Sequence, residues 1–340
     1  MRLAKRILVG VFVLGIAFMA GAITATIANT PLPMLGLGGG PAAPSGSPGG
    51  GQPGPSSISP SPGPSPSPSP AAEDVGVLVG AGDISACDRY EDSLTADLVE
   101  SIPGIVFTLG DNANEGGTAG DFEECYGPSW GRPSIKERTR PTIGDNEYQA
   151  FGAKDYFRYF GKAAGPADKG YYAYDAGAWR VYVLNSNCSK VGGCGRGSAQ
   201  WQWLSEDLTA EARRCVLAMW HHPLFTSGPH RGAASMVDAA TLLYDAGAEL
   251  VLSGSVHAYE RFAPQDPEGE ADPERGLVHI VAGTGGAKPV TFGSPAPNSL
   301  VRASGVFGVL YLELRPDSYR FEFREVAGPA FTDAGDGECH

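Results

Sequence analysis

The sequence predicts an α/β fold in which two sheets form a sandwich flanked by helices, preceded by a transmembrane or signal segment and a disordered linker. Three observations carry this reading. Apolar, β-rich runs alternate with helical patterns from Gly76 to about Leu252. Later runs alternate like antiparallel strands, with no clear helices between them. Before Glu73 the composition cannot build a core.

At the N-terminus, Arg2, Lys5 and Arg6 precede the uncharged run Ile7–Ala28. As a helix this run would span roughly 33 Å, enough for the hydrocarbon core of a bilayer. It is longer than the apolar region of most signal peptides, and Thr26-Ile27-Ala28 only loosely fits a cleavage signal. Residues 1–30 are therefore read as a signal anchor, with a cleaved signal peptide as the alternative. The basic flank orients the N-terminus to the cytoplasm and the remainder outside. The expected location is extracytoplasmic and membrane-anchored, or secreted if the signal is cleaved. Residues 31–72 are rich in Pro, Gly and Ser and end in the repeat Ser59–Pro70. Such a segment stays extended and acts as a spacer. The globular domain is expected over 73–340.

Charge is uneven along the chain. Of 25 basic residues three precede Glu73, while all 38 acidic residues lie at or after it, so the domain is formally at −16. That surface repels a phosphodiester backbone, so nucleic acid is not an expected partner. Protein partners are unreadable. The six cysteines form no CxxC pair. Behind a secretory-type N-terminus an even count reads as up to three disulfides. Cys188 and Cys194, six apart in a Gly-rich loop, are close enough to close a small ring.

Within the domain, Gly76–Ala81 reads as a strand, Asp92–Ser101 as a helix and Ile105–Leu109 as a second strand. That separation defines a βαβ unit with parallel strands. Both strands end in Gly-Asp, at Asp83 and Asp111, where open α/β sheets place their ligands. Downstream, strands are expected at Trp179–Leu184, Cys215–Trp220 and Glu249–Leu252, with helices over Ala199–Leu208 and Ala233–Ala246. Gly276–Ala282, Val306–Leu314 and Tyr319–Val326 are the later strands.

The strand ends and the loops after them present Asp83, Asp111, Asp145, His221 and His257 in order. Carboxylates with imidazoles suit Zn, Fe or Mn. A carboxylate shared by two ions would build a two-metal clamp of the kind used in phosphoryl transfer. A single Gly-Asp is more often a turn or cap, and a lone histidine more often packs. Five such residues in sequence are harder to explain that way. Trp201 and Trp203 read as packing. Tyr259-Glu260-Arg261 reads equally as a structural ion pair or pocket lining, and Gly283-Thr284-Gly285-Gly286 as a turn rather than an anion cradle. Ser198 reads as the N-cap of the following helix, and no G-x-S-x-G nucleophile motif is present.

The ordered set GDIS (Gly82–Ser85), LGDNANEGGT (Leu109–Thr118), CYGPSWGR (Cys125–Arg132), PTIGDNEY (Pro141–Tyr148), WHHPLFTSG (Trp220–Gly228) and GSVHAYERF (Gly254–Phe262) resembles the calcineurin-like metallophosphoesterases. The likeness is closer to secreted bacterial relatives of purple acid phosphatases, and covers residues 75–340. It implies that Asp83 and His257 bind a first metal, that Asp111 bridges two, and that His221 binds the second. Catalysis would rest on Asp111, Asn146, His221 and His257. His222 matches a variable position and is expected to line the pocket or pack. The resemblance also pairs Cys87 with Cys125, which leaves Cys215 and Cys339 for each other.

Departures from the family pattern are equally specific. Asp145 stands where Asn is usual and can ligate well. Asn146 replaces the histidine that contacts substrate and helps protonate the leaving group, and an amide is no general acid. Asn114 replaces a metal-binding tyrosine, and Ser255 replaces the first histidine of G-H-x-H; both are weak ligands. Without the tyrosine no tyrosinate-to-iron colour is expected. The resemblance thus implies one or two divalent or trivalent ions (Fe, Zn or Mn) and a small phosphoester substrate. The expected function is phosphoester hydrolysis by a metal-activated water at a degenerate dinuclear site. The alternative is a catalytically impaired pseudoenzyme serving as a membrane-tethered extracellular binding domain.

Overall fold

The computed structural model describes residues 74–340, apart from Glu115, 211–214, His230, Arg231, Ala327 and Pro329. The Ile7–Ala28 run and the linker at 31–72 lie outside the described residues, and no helix among the described residues is long and apolar enough to cross a membrane.

In chain order the strands are β1 (Gly76–Ala81), β2 (Ile105–Thr108), β3 (Thr139–Arg140), β4 (Tyr172–Ala176), β5 (Trp179–Val183), β6 (Val216–Met219), β7 (Leu250–Ser253), β8 (Tyr259–Phe262), β9 (Val278–Ala282), β10 (Ser299–Ala303), β11 (Gly308–Leu314), β12 (Ser318–Glu325) and β13 (Asp333–Glu338). One sheet runs β13-β12-β11-β1-β2-β3 and the other β10-β8-β9-β7-β6-β5-β4. β1 and β2 pair in parallel across the helix Glu91–Ser101, as the βαβ spacing requires. β5, β6, β7 and β9 are also mutually parallel.

Alternation along the strands explains why they read as unbroken apolar runs. In β1, Leu78 enters the core between the sheets while Val79 and Ala81 face the outer helical layer. In β6, Leu217 and Met219 face inward, whereas Val216 and Ala218 pack under the helices Ala199–Ala210 and Val237–Asp245. A strand covered on both faces has no polar side to display. The result is helix, sheet, sheet, helix, with the parallel strands of both sheets delivering their C-terminal ends to one cleft.

Five strands escape the sequence reading: β3, β4, β8, β10 and β13. The stretch expected as one helix over Ala233–Ala246 is a 3₁₀ turn at Ala234–Met236 leading into Val237–Asp245. Ser198 does cap its helix, its hydroxyl accepting from the Trp201 amide at 3.3 Å. All six cysteines are paired, as Cys87–Cys125, Cys188–Cys194 and Cys215–Cys339.

Candidate metal centre

The site is assembled by the turns that follow β1, β2, β3, β6 and β7. Asp83, Asp111 and Ser255 all sit on left-handed backbone, with φ of 56°, 49° and 66°. Non-glycine residues pay for that conformation, and such strain gathers at functional sites. The glycines beside them make room. A Cβ on Gly144 would fall 2.1 Å from Asp111 Oδ1, and one on Gly110 would fall 2.4 Å from His221 Nδ1.

Asp83, Asp111 and His221 present ligand atoms within 4.8 Å of one another, as do Asp145, His221 and His222. His221 Nε2 lies 3.1 Å from Asp145 Oδ1 and 3.4 Å from Asp111 Oδ1. His257 Nε2 lies 3.5 Å from Asp83 Oδ1. Both rings are fixed from behind: Nδ1–H of His221 donates to the Leu109 carbonyl at 2.7 Å, and that of His257 to the Lys288 carbonyl at 2.8 Å. A carbonyl can only accept, so the Nδ1 proton is fixed in each ring and Nε2, which faces the carboxylates, is the atom that would ligate a metal once its own proton is displaced. All five residues expected at the site thus converge.

The replaced residues are here too. Asn146 Nδ2 donates to Asn114 Oδ1 at 2.7 Å, and the Asn146 backbone N–H donates to Asp111 Oδ1 at 3.0 Å. Asp111, Asn114, Asp145, Asn146, Ser255 and His257, with His222 and Pro223, line an open cleft of about 360 Å³.

Electrostatics follow from burial. Burial pushes the Asp83 carboxyl up to about 6, with His257 and His221 opposing and Asp111 and Asp145 adding to the rise. Asp145 is held well below the usual carboxylate range by hydrogen bonds from His221 and His222. Burial disfavours charge on His221, but Asp111, Asp145 and Asp83 outweigh it and raise its pKa well above the imidazole norm. Both Asp83 oxygens are buried without a hydrogen-bond partner.

Sequence reasoning assigned no role to Glu147. It is fully buried, and its two oxygens staple the β2 and β3 loops. Oε1 accepts from the Asn112 N–H at 2.7 Å and the Ala113 N–H at 3.3 Å, and Oε2 accepts from the Gly144 N–H at 2.7 Å. Its position two residues after Asp145 was the available signal. Two other expectations resolve as structural. Arg261 pairs with Asp333 at 2.7 Å, and Glu260 accepts from the Ser227 amide at 2.8 Å and the Ser299 hydroxyl at 2.6 Å. In the glycine turn after β9, the Gly285 N–H donates to the Gly82 carbonyl at 2.9 Å and the Thr284 hydroxyl to the Gly308 carbonyl at 2.8 Å, so these groups are committed to the protein.

The domain has the two-sheet fold seen in solved structures of a purple acid phosphatase and of PhoD. Its sequence kinship is with the purple acid phosphatases. No family model matches the chain. It is 27% identical over 248 residues to purple acid phosphatase 15 of Arabidopsis thaliana, a match covering 62% of this chain and 45% of the relative. Purple acid phosphatase 18 of the same plant is 31% identical over 147 residues, covering 41% and 32%. The chain thus spans less than half the length of these relatives. Among solved structures, purple acid phosphatase PPD1 from yellow lupin superposes with a TM-score of 0.62 at 18% identity, over 79% of this chain and 55% of that one. GAP50, the anchor in the inner membrane complex of Plasmodium, gives 0.60 at 14% identity, over 78% and 89%. PhoD gives 0.51 at 13% identity, over 78% and 68%.

Proposed function

We propose that this domain hydrolyses small phosphoesters at a metal centre held by Asp83, Asp111, Asp145, His221 and His257. The observation that carries the proposal is the Asp83 carboxylate, buried with neither oxygen hydrogen-bonded. An ionised carboxylate so desolvated costs several kcal/mol unless a cation compensates it. The donor set, three carboxylates with two imidazoles whose Nε2 atoms face them, suits Fe, Zn or Mn. Bound there, such ions supply Lewis acidity toward a phosphoryl oxygen and lower the pKa of water.

The remaining work belongs to the chain. Asp83 and His257 would hold one ion, His221 and Asp145 another, and Asp111 both. Asn114 and Ser255 would contribute weakly. Asn146 would orient substrate through its amide and would not protonate a leaving group. We further propose an extracytoplasmic location with anchorage through Ile7–Ala28. Support comes from the three disulfides, which persist in oxidising compartments, and from the acidic domain, which argues against nucleic-acid partners.

The test is elemental analysis of the purified full chain beside hydrolysis of para-nitrophenyl phosphate and of an alkyl phosphate. One or two transition-metal ions per chain, with activity lost on chelation and regained on adding metal, is the expected result. A chain that takes up no metal and hydrolyses nothing, even after Asn146→His and Ser255→His, would instead be a tethered binding domain.

A further inference from the structure

We propose that His222 is a ligand of the second metal ion, taking over the coordination that Ser255 cannot supply. This rests on the reading of the cleft as a metal centre, and it adds a residue the family pattern leaves variable.

The turn after β6 sends His221 and His222 into the same space. Their rings meet edge to face with centroids 4.8 Å apart. Their Nε2 atoms converge on one oxygen, Asp145 Oδ1, at 3.1 Å for His221 and 3.4 Å for His222. Two imidazole nitrogens and a carboxylate within 4.8 Å of one another supply the three protein ligands a catalytic ion needs. His222 is also held from behind, here by a hydroxyl that can either donate or accept. Its Nδ1 lies 2.8 Å from the Ser186 hydroxyl, which also accepts from the His222 backbone N–H at 3.0 Å. With Nδ1–H donated to that oxygen, Nε2 offers its lone pair to the cleft. Ser255 lines the same cleft but brings only a neutral hydroxyl. Asp145, 54% exposed, and His222, 31% exposed, lie open to an ion arriving from solution. The imidazole lost from the turn after β7 is thus matched by one gained in the turn after β6, across the same Asp145.

Metal-stripped full chain is titrated with Co²⁺, reading stoichiometry by equilibrium dialysis and coordination by visible absorption. The wild type is expected to take two ions. His222→Ala should keep the first ion unchanged and bind the second at least ~10-fold more weakly. The double variant His222→Ala/Ser255→His should recover the second ion, because histidine tolerates the left-handed backbone at 255 better than most residues. Retention of the first ion shows that the variant is folded. Wild-type affinity for both ions in His222→Ala overturns the assignment, as does a wild type that takes only one ion. A wild type that binds two ions, loses one in His222→Ala and hydrolyses no phosphoester sinks the hydrolase reading while this ligand assignment stands.

Discussion

At the scale of single residues, the proposed hydrolysis turns on two asparagines. By the resemblance drawn from the sequence, Asn146 and Asn114 stand in place of a histidine and a tyrosine, and their amides bond to each other at 2.7 Å. The pair can hold a phosphoryl oxygen but has no titrating proton to give a departing alkoxide. The rate should therefore depend steeply on the leaving group. Aryl phosphates, which leave without protonation, should be cleaved far faster than alkyl phosphates. Asn146→His should raise kcat for alkyl phosphates by ~10²-fold or more and barely change it for para-nitrophenyl phosphate. Equal gains on both would show that Asn146 is not standing in for a general acid. Asp111 tests the metal side. Its Oδ1 lies 3.4 Å from His221 Nε2, and it is the carboxylate proposed to be shared. Asp111→Asn should lose more metal by elemental analysis than any other single substitution, because it removes the charge between two cations.

At the scale of elements, β9 carries a buried base unrelated to the cleft. His279 is 3% exposed, its Nε2 has no hydrogen-bond partner, and its ring meets Phe225 edge-on at 5.0 Å. Burial pushes its pKa down to about 3. The folded value is below the unfolded one of about 6.5, so the native state holds this ring neutral while the unfolded chain protonates it. Stability is complete above about pH 6.5 and is lost as pH falls toward 3, by roughly 3 kcal/mol at pH 4. Urea unfolding of wild type and His279→Leu at pH 7 and pH 4 should show a smaller loss in the variant. Equal losses would mean that the ring finds a partner on protonation. The same strand shows what sequence reveals. β1, β2, β5, β6, β7 and β9 were legible because both faces are covered, which leaves a continuous apolar run. β8 was not, because its Glu260 and Arg261 look like surface residues until Ser227, Ser299 and Asp333 are brought to them by other parts of the chain. β13, Asp333–Glu338, is a Gly- and acid-rich edge strand whose pairing with β12 leaves almost no apolar signature. The candidate site residues could be picked out of the sequence because they follow strand ends. Glu147 and Ser186 were not, because they act through backbone amides and a ring nitrogen that only the folded chain supplies.

At the scale of the whole described domain, the disulfides differ in what they constrain. Cys188–Cys194 closes a loop of sequence separation 6 inside one turn. Cys215–Cys339 closes a separation of 124. It ties the start of β6 in one sheet to the end of β13 in the other, and both sulfur-bearing residues lie in the core between the sheets. Restricting the unfolded chain is worth more as the closed loop lengthens, about 2 kcal/mol for the short loop and about 5 kcal/mol for the long one. The paired replacement Cys215→Ala/Cys339→Ala should therefore cost about twice as much stability as Cys188→Ala/Cys194→Ala. The long cross-link has a second consequence. β13 pairs only with β12, so without the cross-link the last strand is held by that ladder, by Arg261 and Tyr259 on Asp333 at its start, and by the His340 N–H on Glu249 just past its end. Hydrogen exchange in the Cys215→Ala/Cys339→Ala variant should quicken first in β13 and β12, well before β6 and β7, whose turns carry His221 and His257. Metal uptake should accordingly survive that replacement under conditions where the domain remains folded. If exchange quickens uniformly across both sheets, the cross-link is instead holding the two sheets together as a unit.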